Sequence, residues 1–245
     1  MVFNPQSNTL FFGSCLFCLT IILQAALADT KSWNYKVTPY LWNVSFDGDT
    51  SSGGNDFPID TDYSFFTLDN LDKVFSISFE ANNGRVGLLF DGLRARYSDN
   101  TSNMLFATQL AVELGFIEGS VSYTPSKFEH LDLIGGVRYI FLDTQLAFNP
   151  GPSSESNHDW VDPLVGARYK NSLAKNWHYQ LRGDIGGFGV SSELVLNLLA
   201  TIGYKFNNTL GLDLGYRYVS IDFKDDDFLY DVSMHGVIIG LGIYF

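Results

Sequence analysis

From Trp33 onward, apolar and polar residues alternate one by one. The stretch "TLGLDLGYRYVSIDF" at 209–223 shows it best: Leu210, Leu212, Leu214, Tyr216 and Tyr218 fall on one face, and Gly211, Asp213, Gly215, Arg217 and Val219 on the other. A period of two is a strand signal, because successive side chains of a strand point to opposite faces. One face carries bulk and the other carries glycine and charge. That pattern fits a half-buried soluble strand or a strand facing lipid, and strand number and length decide between them.

About ten such segments are predicted, at 33–46, 73–82, 84–97, 105–123, 128–146, 160–171, 175–188, 193–206, 209–222 and 232–245. Most are far longer than the roughly five or six residues usual in globular proteins and reach the roughly 9–11 that a membrane-crossing strand needs. The connections alternate in length. "NNG" at 82–84, "TPSK" at 124–127, "NSLAKN" at 171–176 and "NNT" at 207–209 are tight and rich in turn formers. Between them lie longer polar connections at 47–72, 98–104, 147–159 and 223–231, with a short one near 189–192. Short turns on one side and long loops on the other is the layout of an outer-membrane barrel.

In "VIIGLGIYF", Val237, Ile239, Leu241, Ile243 and Phe245 alternate on one face. Here the chain resembles the outer-membrane β-barrel proteins of Gram-negative bacteria, in pattern over its whole length after residue 28. The stretches "DPLVGARY", "RGDIGGFGV", "IGYKF" and "LGYRYVSIDF" strengthen the likeness to small porin-like barrels of that family. The resemblance implies an all-β, transmembrane, antiparallel up-and-down barrel in the cell outer membrane. About ten strands are expected, with eight or twelve as alternatives. It also implies that Ile243 and Phe245 form a signal read by the barrel-insertion machinery. Outer-membrane lipids and lipopolysaccharide are the implied surroundings, and the oligomeric state is left open.

Composition narrows the picture further. A net charge of −12 over 245 residues argues against nucleic acid, which calls for a basic footprint. The run "LFFGSCLFCLTIILQAALA", closed by Ala26-Leu27-Ala28, reads as a signal peptide over 1–28, leaving 29–245 as the barrel domain. Residues 1–9 hold no Lys or Arg, so an uncleaved anchor and a lipoprotein site before Cys15 remain alternatives. Cys15 and Cys18 are the only cysteines, and the chain after residue 28 therefore has no disulfide framework. Aromatic residues near the strand ends, Tyr40, Trp42, Tyr139, Trp160, Tyr169, Trp177, Tyr204 and Tyr218 among them, suggest interfacial girdles.

If the apolar faces meet lipid, the other faces line the lumen. They place Glu80, Glu113, Arg138, Arg168, Arg182, Asp184, Asp213 and Arg217 there as a polar network. Asp91 and Arg94 share that face only with a bulge, for which Gly92 is the expected place, and a second change of phase is expected near Phe116. Such a lining is either a set of ion pairs filling a narrow barrel or the wall of a small conduction path. The expected function is a porin-like or structural barrel, giving at most a narrow path for small solutes. The alternatives are surface interaction through acidic outer loops and, behind that, lipid modification at the rim.

No enzyme activity, cofactor or metal is expected. Ser233 and His235 are a rim pair, but i and i+2 positions stand about 7 Å apart along a strand, too far for a nucleophile and its base. "DGDTSSGGND" at 47–56 lacks the glycine and glutamate of a calcium loop. His158 is expected in an outer loop. Residues 57–74 are expected either to add a strand pair or to tuck Phe65, Phe66, Leu68 and Leu71 over the barrel mouth.

Overall fold

The computed structural model describes residues 32–52, 55–61, 71–102, 107–149, 153–225 and 228–245. They form eleven strands: β1 (Asn34–Ser52), β2 (Asn55–Thr61), β3 (Leu71–Asn82), β4 (Val86–Ser102), β5 (Ala107–Tyr123), β6 (Leu131–Asn149), β7 (Ser153–Ser172), β8 (Trp177–Gly187), β9 (Ser192–Lys205), β10 (Leu210–Asp225) and β11 (Phe228–Tyr244). Every pairing is antiparallel, and β1 pairs with β11 to close the ring. Ten strands make the wall. The extra strand, β2, pairs only with the outer half of β1, from Phe46↔Thr61 to Ser52↔Asn55. The β1–β3 ladder covers the inner half of β1 and stops at Pro39↔Ile77. Proline has no N–H to donate and suits the end of a ladder.

Four turns at one end are tight, as the sequence indicates. In two of them an asparagine side chain replaces a missing backbone partner. Asn83 Oδ1 accepts from the amides of Arg85 and Val86, and Asn207 Oδ1 from those of Thr209 and Leu210. The other end differs from expectation. Connections expected as loops at 98–104, 147–159 and 223–231 are mostly strand, because the ladders run on to Ser102, Asn149 and Asp225. Likewise 47–52 continues β1, and 55–61 forms one further strand, while 62–70 lies outside the described residues. The expected leader at 1–28 and the placement of Phe65, Phe66 and Leu68 fall outside the described residues.

The long strands persist because their alternation inverts instead of ending. Along β10, Leu210, Leu212, Leu214 and Tyr216 face outward and are exposed, while Asp213 and Arg217 are buried. Past Tyr218 the inward residues become Val219, Ile221 and Phe223, and Ser220 and Asp222 take the outer face. The same reversal occurs on β11, where Val237, Ile239 and Leu241 face out below, and Tyr230, Val232 and Met234 face in above.

Below the reversal the barrel wears an apolar coat. Leu41, Val137, Val165 and Leu181 each keep more than half of their surface exposed. A continuous apolar belt of that kind marks contact with lipid, not with water. A closed ring leaves no unpaired strand edge inside a bilayer. The chain is therefore a transmembrane barrel of the outer-membrane type. Among the described residues no helix is long and apolar enough to cross a membrane.

Candidate functional site

The lumen is built in two storeys. The lower one, toward the tight turns, is an ion-pair network that crosses the barrel. Arg182 on β8 reaches Glu118 on β5 at 2.5 Å, and Arg138 on β6 reaches Asp184 on β8 at 2.7 Å. Arg217 on β10 meets Asp91 on β4 at 2.8 Å, and Arg168 on β7 meets Glu80 on β3 at 2.8 Å. Neighbouring strands add Arg138–Glu118 at 2.7 Å and Arg168–Asp132 at 2.8 Å, and along β8 Arg182 also holds Asp184 at 2.8 Å. Near the mouth, Lys36 bonds Asp213 at 2.5 Å and Lys170 lies 3.1 Å from Asp132.

Register places these groups. Arg138 sits opposite Glu118, and Arg168 opposite Asp132. His178, Gly203 and Asp213 share one row across β8, β9 and β10. Gly203 carries no side chain, so His178 Nε2 can meet Asp213 across it at 3.0 Å. Six cations face six carboxylates in this network, so it is electrically balanced despite the chain's acidity. Balance of that kind makes buried charge tolerable in a low-dielectric wall.

The upper storey is apolar and aromatic. Trp42, Val44, Phe116, Ile140, Leu142, Trp160, Val195, Val219, Val232 and Met234 pack as one buried cluster across the lumen. Val195 and Val232 have no exposed surface at all. Trp160 stacks on Phe223 with centroids 4.0 Å apart, and His158 stacks on Phe228 at 3.7 Å. The outer part of this storey lies above the apolar coat, and burial there pushes the Tyr230 phenol up from its ordinary pKa.

The storeys also correct several expectations. Tyr40, Trp42 and Trp160 are lumen residues, not girdle residues. His158 belongs to β7 rather than to a loop. Gly92 carries no bulge: the β4 ladders run unbroken past it, so Asp91 points in and Arg94 points out. No phase change occurs at Phe116 either. Glu113 therefore faces outward and pairs with the exposed Arg94 at 2.7 Å, away from the lumen. Glu118 takes the place expected for it. Counting by twos from Tyr123 through Val121, Gly119 and Ile117 would have put Glu118 inward and Glu113 outward. Glu80, Arg138, Arg168, Arg182, Asp184, Asp213 and Arg217 all stand in the lower storey.

Two girdles ring the outside. The lower one includes Trp177–Tyr204 at 5.0 Å and Tyr35–Phe245 at 5.6 Å. Ile243 lies on the same outer face as Phe245 and pairs with Val37. The upper girdle holds Tyr139–Phe141 at 5.9 Å and Tyr216–His235 at 6.2 Å. The rim pair is divided between separate partners. His235 Nδ1 bonds the Tyr216 hydroxyl at 2.8 Å, while Ser233 Oγ bonds the Tyr218 hydroxyl at 3.0 Å.

Asp162 anchors the β8–β9 hairpin from inside. It accepts from the Ser192 amide at 2.9 Å, the Ser192 hydroxyl at 2.6 Å and Trp160 Nε1 at 3.1 Å. The hairpin turns through three consecutive left-handed residues, Gly187, Phe188 and Gly189. Glycine adopts that conformation without strain.

No family model matches the chain, and no curated protein matches its sequence. Among solved structures, it is similar to Ail, the attachment invasion locus protein of Yersinia pestis, in complex with the heparin analogue sucrose octasulfate. That match has 10% identity and a TM-score of 0.42 over 88% of this chain and 100% of that one. The translocator domain of the autotransporter NalP from Neisseria meningitidis gives 13% identity and a TM-score of 0.45 over 97% of each chain. The outer membrane protease OmpT from Escherichia coli gives 7% and 0.46 over 88% of this chain and 98% of that one. These likenesses are of barrel to barrel and say nothing of activity.

Proposed function

We propose that the chain is a closed structural barrel of the outer membrane that presents a rigid outer crown, rather than an open pore or an enzyme. The observation that carries this reading is the apolar storey across the lumen, with Val195 and Val232 wholly buried at its centre. Water-filled barrels need a polar path from end to end. Here Trp42, Phe116 and Trp160 would have to leave their packing before a solute could pass.

The crown is the second support. Asp47, Asp49 and Asp231 face outward above the upper girdle, Asp159 lies level with its Phe141, and all four are exposed. They suit partners that bring cations, such as lipopolysaccharide bridged by divalent ions. At the other end, Ile243 and Phe245 serve as the contact read by the insertion machinery. The division of Ser233 and His235 between two tyrosines supports the absence of catalysis at the rim. Replacing Ser233 with Ala is expected to leave phospholipid and lipid A turnover unchanged.

A narrow path for small solutes is the second reading, favoured by free space in the lower storey. Planar-bilayer recording separates the two. A folded barrel in a silent bilayer supports closure. Discrete conductance steps that change when Arg182 or Arg217 is replaced would overturn it.

A further inference from the structure

The ion-pair network does not fill the lower storey. A cavity of about 140 Å³ remains beneath the apolar cluster, lined by Lys36, Asp91, Arg182, Thr201, Asp213 and Arg217 among others. Its wall opens toward the tight-turn end. The side chains of His178 and Lys36 there are 26% and 25% exposed, against 3% for Arg217 farther in.

The guanidinium donors around it are unevenly used. Arg168 spends its nitrogens on Asp132, Glu80 and Gln180. Arg182 donates Nε to Asp184 and Nη2 to Glu118, and Arg217 donates Nε to Asn197 and Nη1 to Asp91. Among the described residues, nothing accepts from Nη1 of Arg182 or Nη2 of Arg217. Neither atom is one of the sealed polar atoms that lack a partner, so both reach free space. Glu118 and Asp91 already offset the charges of these two groups, and what is left unspent is one donor nitrogen on each. Unspent donors of like charge at one cavity are costly unless an acceptor completes them.

The lining carries four cations, Lys36, Arg168, Arg182 and Arg217, against three carboxylates, Glu80, Asp91 and Asp213. The acids that complete the balance, Asp132, Glu118 and Asp184, stand outside the lining, so cationic groups outnumber carboxylates on the cavity wall itself. We propose that this cavity is a binding site for a small singly charged oxyanion of the carboxylate class, entering from the periplasmic end. Nη1 of Arg182 and Nη2 of Arg217 donate to it, and Lys36 stands at the entrance. An anion between the two guanidinium groups gains charge-assisted hydrogen bonds from both. The volume is close to the roughly 150 Å³ of a cavity that accepts benzene. That limits the guest to a short carboxylate and excludes a sugar or a lipid.

The site does not depend on whether the barrel conducts. Its test uses the full folded barrel in detergent micelles, in a bulky zwitterionic buffer, titrated with acetate. Calorimetry is expected to show one saturable site. Tryptophan emission is expected to shift with it, because the Trp42 ring lies 5.4 Å from the Arg217 guanidinium carbon. Arg182→Gln is expected to weaken binding about tenfold or more. Thr201→Leu fills the cavity while removing no charge, and is expected to abolish binding even if Arg182→Gln does not fold. Absence of saturable binding in the wild-type barrel would overturn the proposal. So would acetate binding of unchanged strength in Thr201→Leu, which would place the anion elsewhere.

Discussion

The guanidinium carbon of Arg217 stands 4.7 Å from the centroid of the Phe116 ring. At this contact the polar storey ends and the apolar storey begins. Arg217 serves both. Its edge donates to Asp91 and Asn197, and its flat face covers aromatic carbon. Removing it strands a buried carboxylate and uncovers two rings at once. Arg217→Leu is expected to cost roughly 3–5 kcal/mol, the usual penalty for breaking a buried pair from one side. Adding Asp91→Asn should recover much of that loss. Urea titration of the folded barrel in micelles measures both, and equal stability of the single and double variants would count against the pairing.

Two glutamates five residues apart on β5 make a sharper comparison. Glu118 holds Arg138 and Arg182 at the centre of the lumen, with 1% of its side chain exposed. Among the described residues Glu113 pairs with Arg94, which is 65% exposed on the outer face. Glu118→Gln leaves two buried cations sharing Asp184 and is expected to cost roughly 3–5 kcal/mol. Glu113→Gln breaks a solvated pair and should change stability by about 0.5 kcal/mol or less. The same titration decides; a reversed order would mean the face of β5 is assigned wrongly.

That pair also shows how far the sequence could be read. Barrel class and strand number are legible in ten alternating segments and their alternating turn lengths, and the lipid face in β10 and β11, because below the girdle the two faces differ in both bulk and charge. Parity, however, passes along a strand only while its ladder is unbroken, and "FDGLRARY" and "LGFIEGSV" gave two candidate phases each. Expecting Asp91 and Arg94 on one face forced a bulge at Gly92 and moved Glu113 inward. Above the girdle the reading failed for another reason. Polarity inverts there, so the strand expected to end at Asp222 and pass into a loop at Phe223 instead runs on to Asp225, with Phe223 inward. Tyr40, Trp42 and Trp160 were assigned to a girdle because an aromatic near a strand end satisfies both girdle and core. Only closure of the ring tells the two apart.

Asp162 offers a local test. Ser192 has no exposed surface, so its amide depends on Asp162 for a partner. Asp162→Ala is expected to cost roughly 1–3 kcal/mol for that unsatisfied amide. The loss should be confined to the outer end. Hydrogen exchange at Ser192 and its hairpin should accelerate, while amides of the lower storey hold their protection. Asp162→Asn keeps an acceptor and should fall between. Uniform acceleration over the whole barrel would contradict a local clamp.

Tyr230 links the upper storey to pH. Burial favours its neutral phenol, so its folded pKa lies above the unfolded value near 10. A raised folded pKa means the stabilisation is fully present below about pH 10 and is lost as pH climbs above it. Other tyrosines titrate in the same region, so a difference between two proteins isolates this one. Tyr230→Phe should leave the unfolding midpoint nearly unchanged at pH 8. At pH 11 it should lose less stability than the wild type. Parallel losses in both proteins would show that Tyr230 is not sealed in the core.

Phe245 bears on assembly. It stacks on Tyr35 with centroids 5.6 Å apart and planes 14° from parallel, and Tyr35 in turn stacks on Phe79 at 6.4 Å. The backbones exchange two bonds, from the Tyr35 amide to the Phe245 carbonyl at 2.9 Å and from the Phe245 amide to the Tyr35 carbonyl at 3.1 Å. These contacts extend the β1–β11 ladder, the pairing with the greatest separation along the chain. Contacts of that kind close the largest loop and govern folding rate more than stability. Phe245→Ala should therefore lower equilibrium stability by only about 0.5–1.5 kcal/mol, the value of one aromatic pair. It should slow closure of the barrel in lipid vesicles by a larger factor than that loss alone implies, and Phe245→Trp, which keeps a ring on Tyr35, should restore the rate. Folding followed by the shift in gel mobility gives the rate directly. An unchanged rate with Phe245→Ala would show that the ring is formed before β1 and β11 meet at this end.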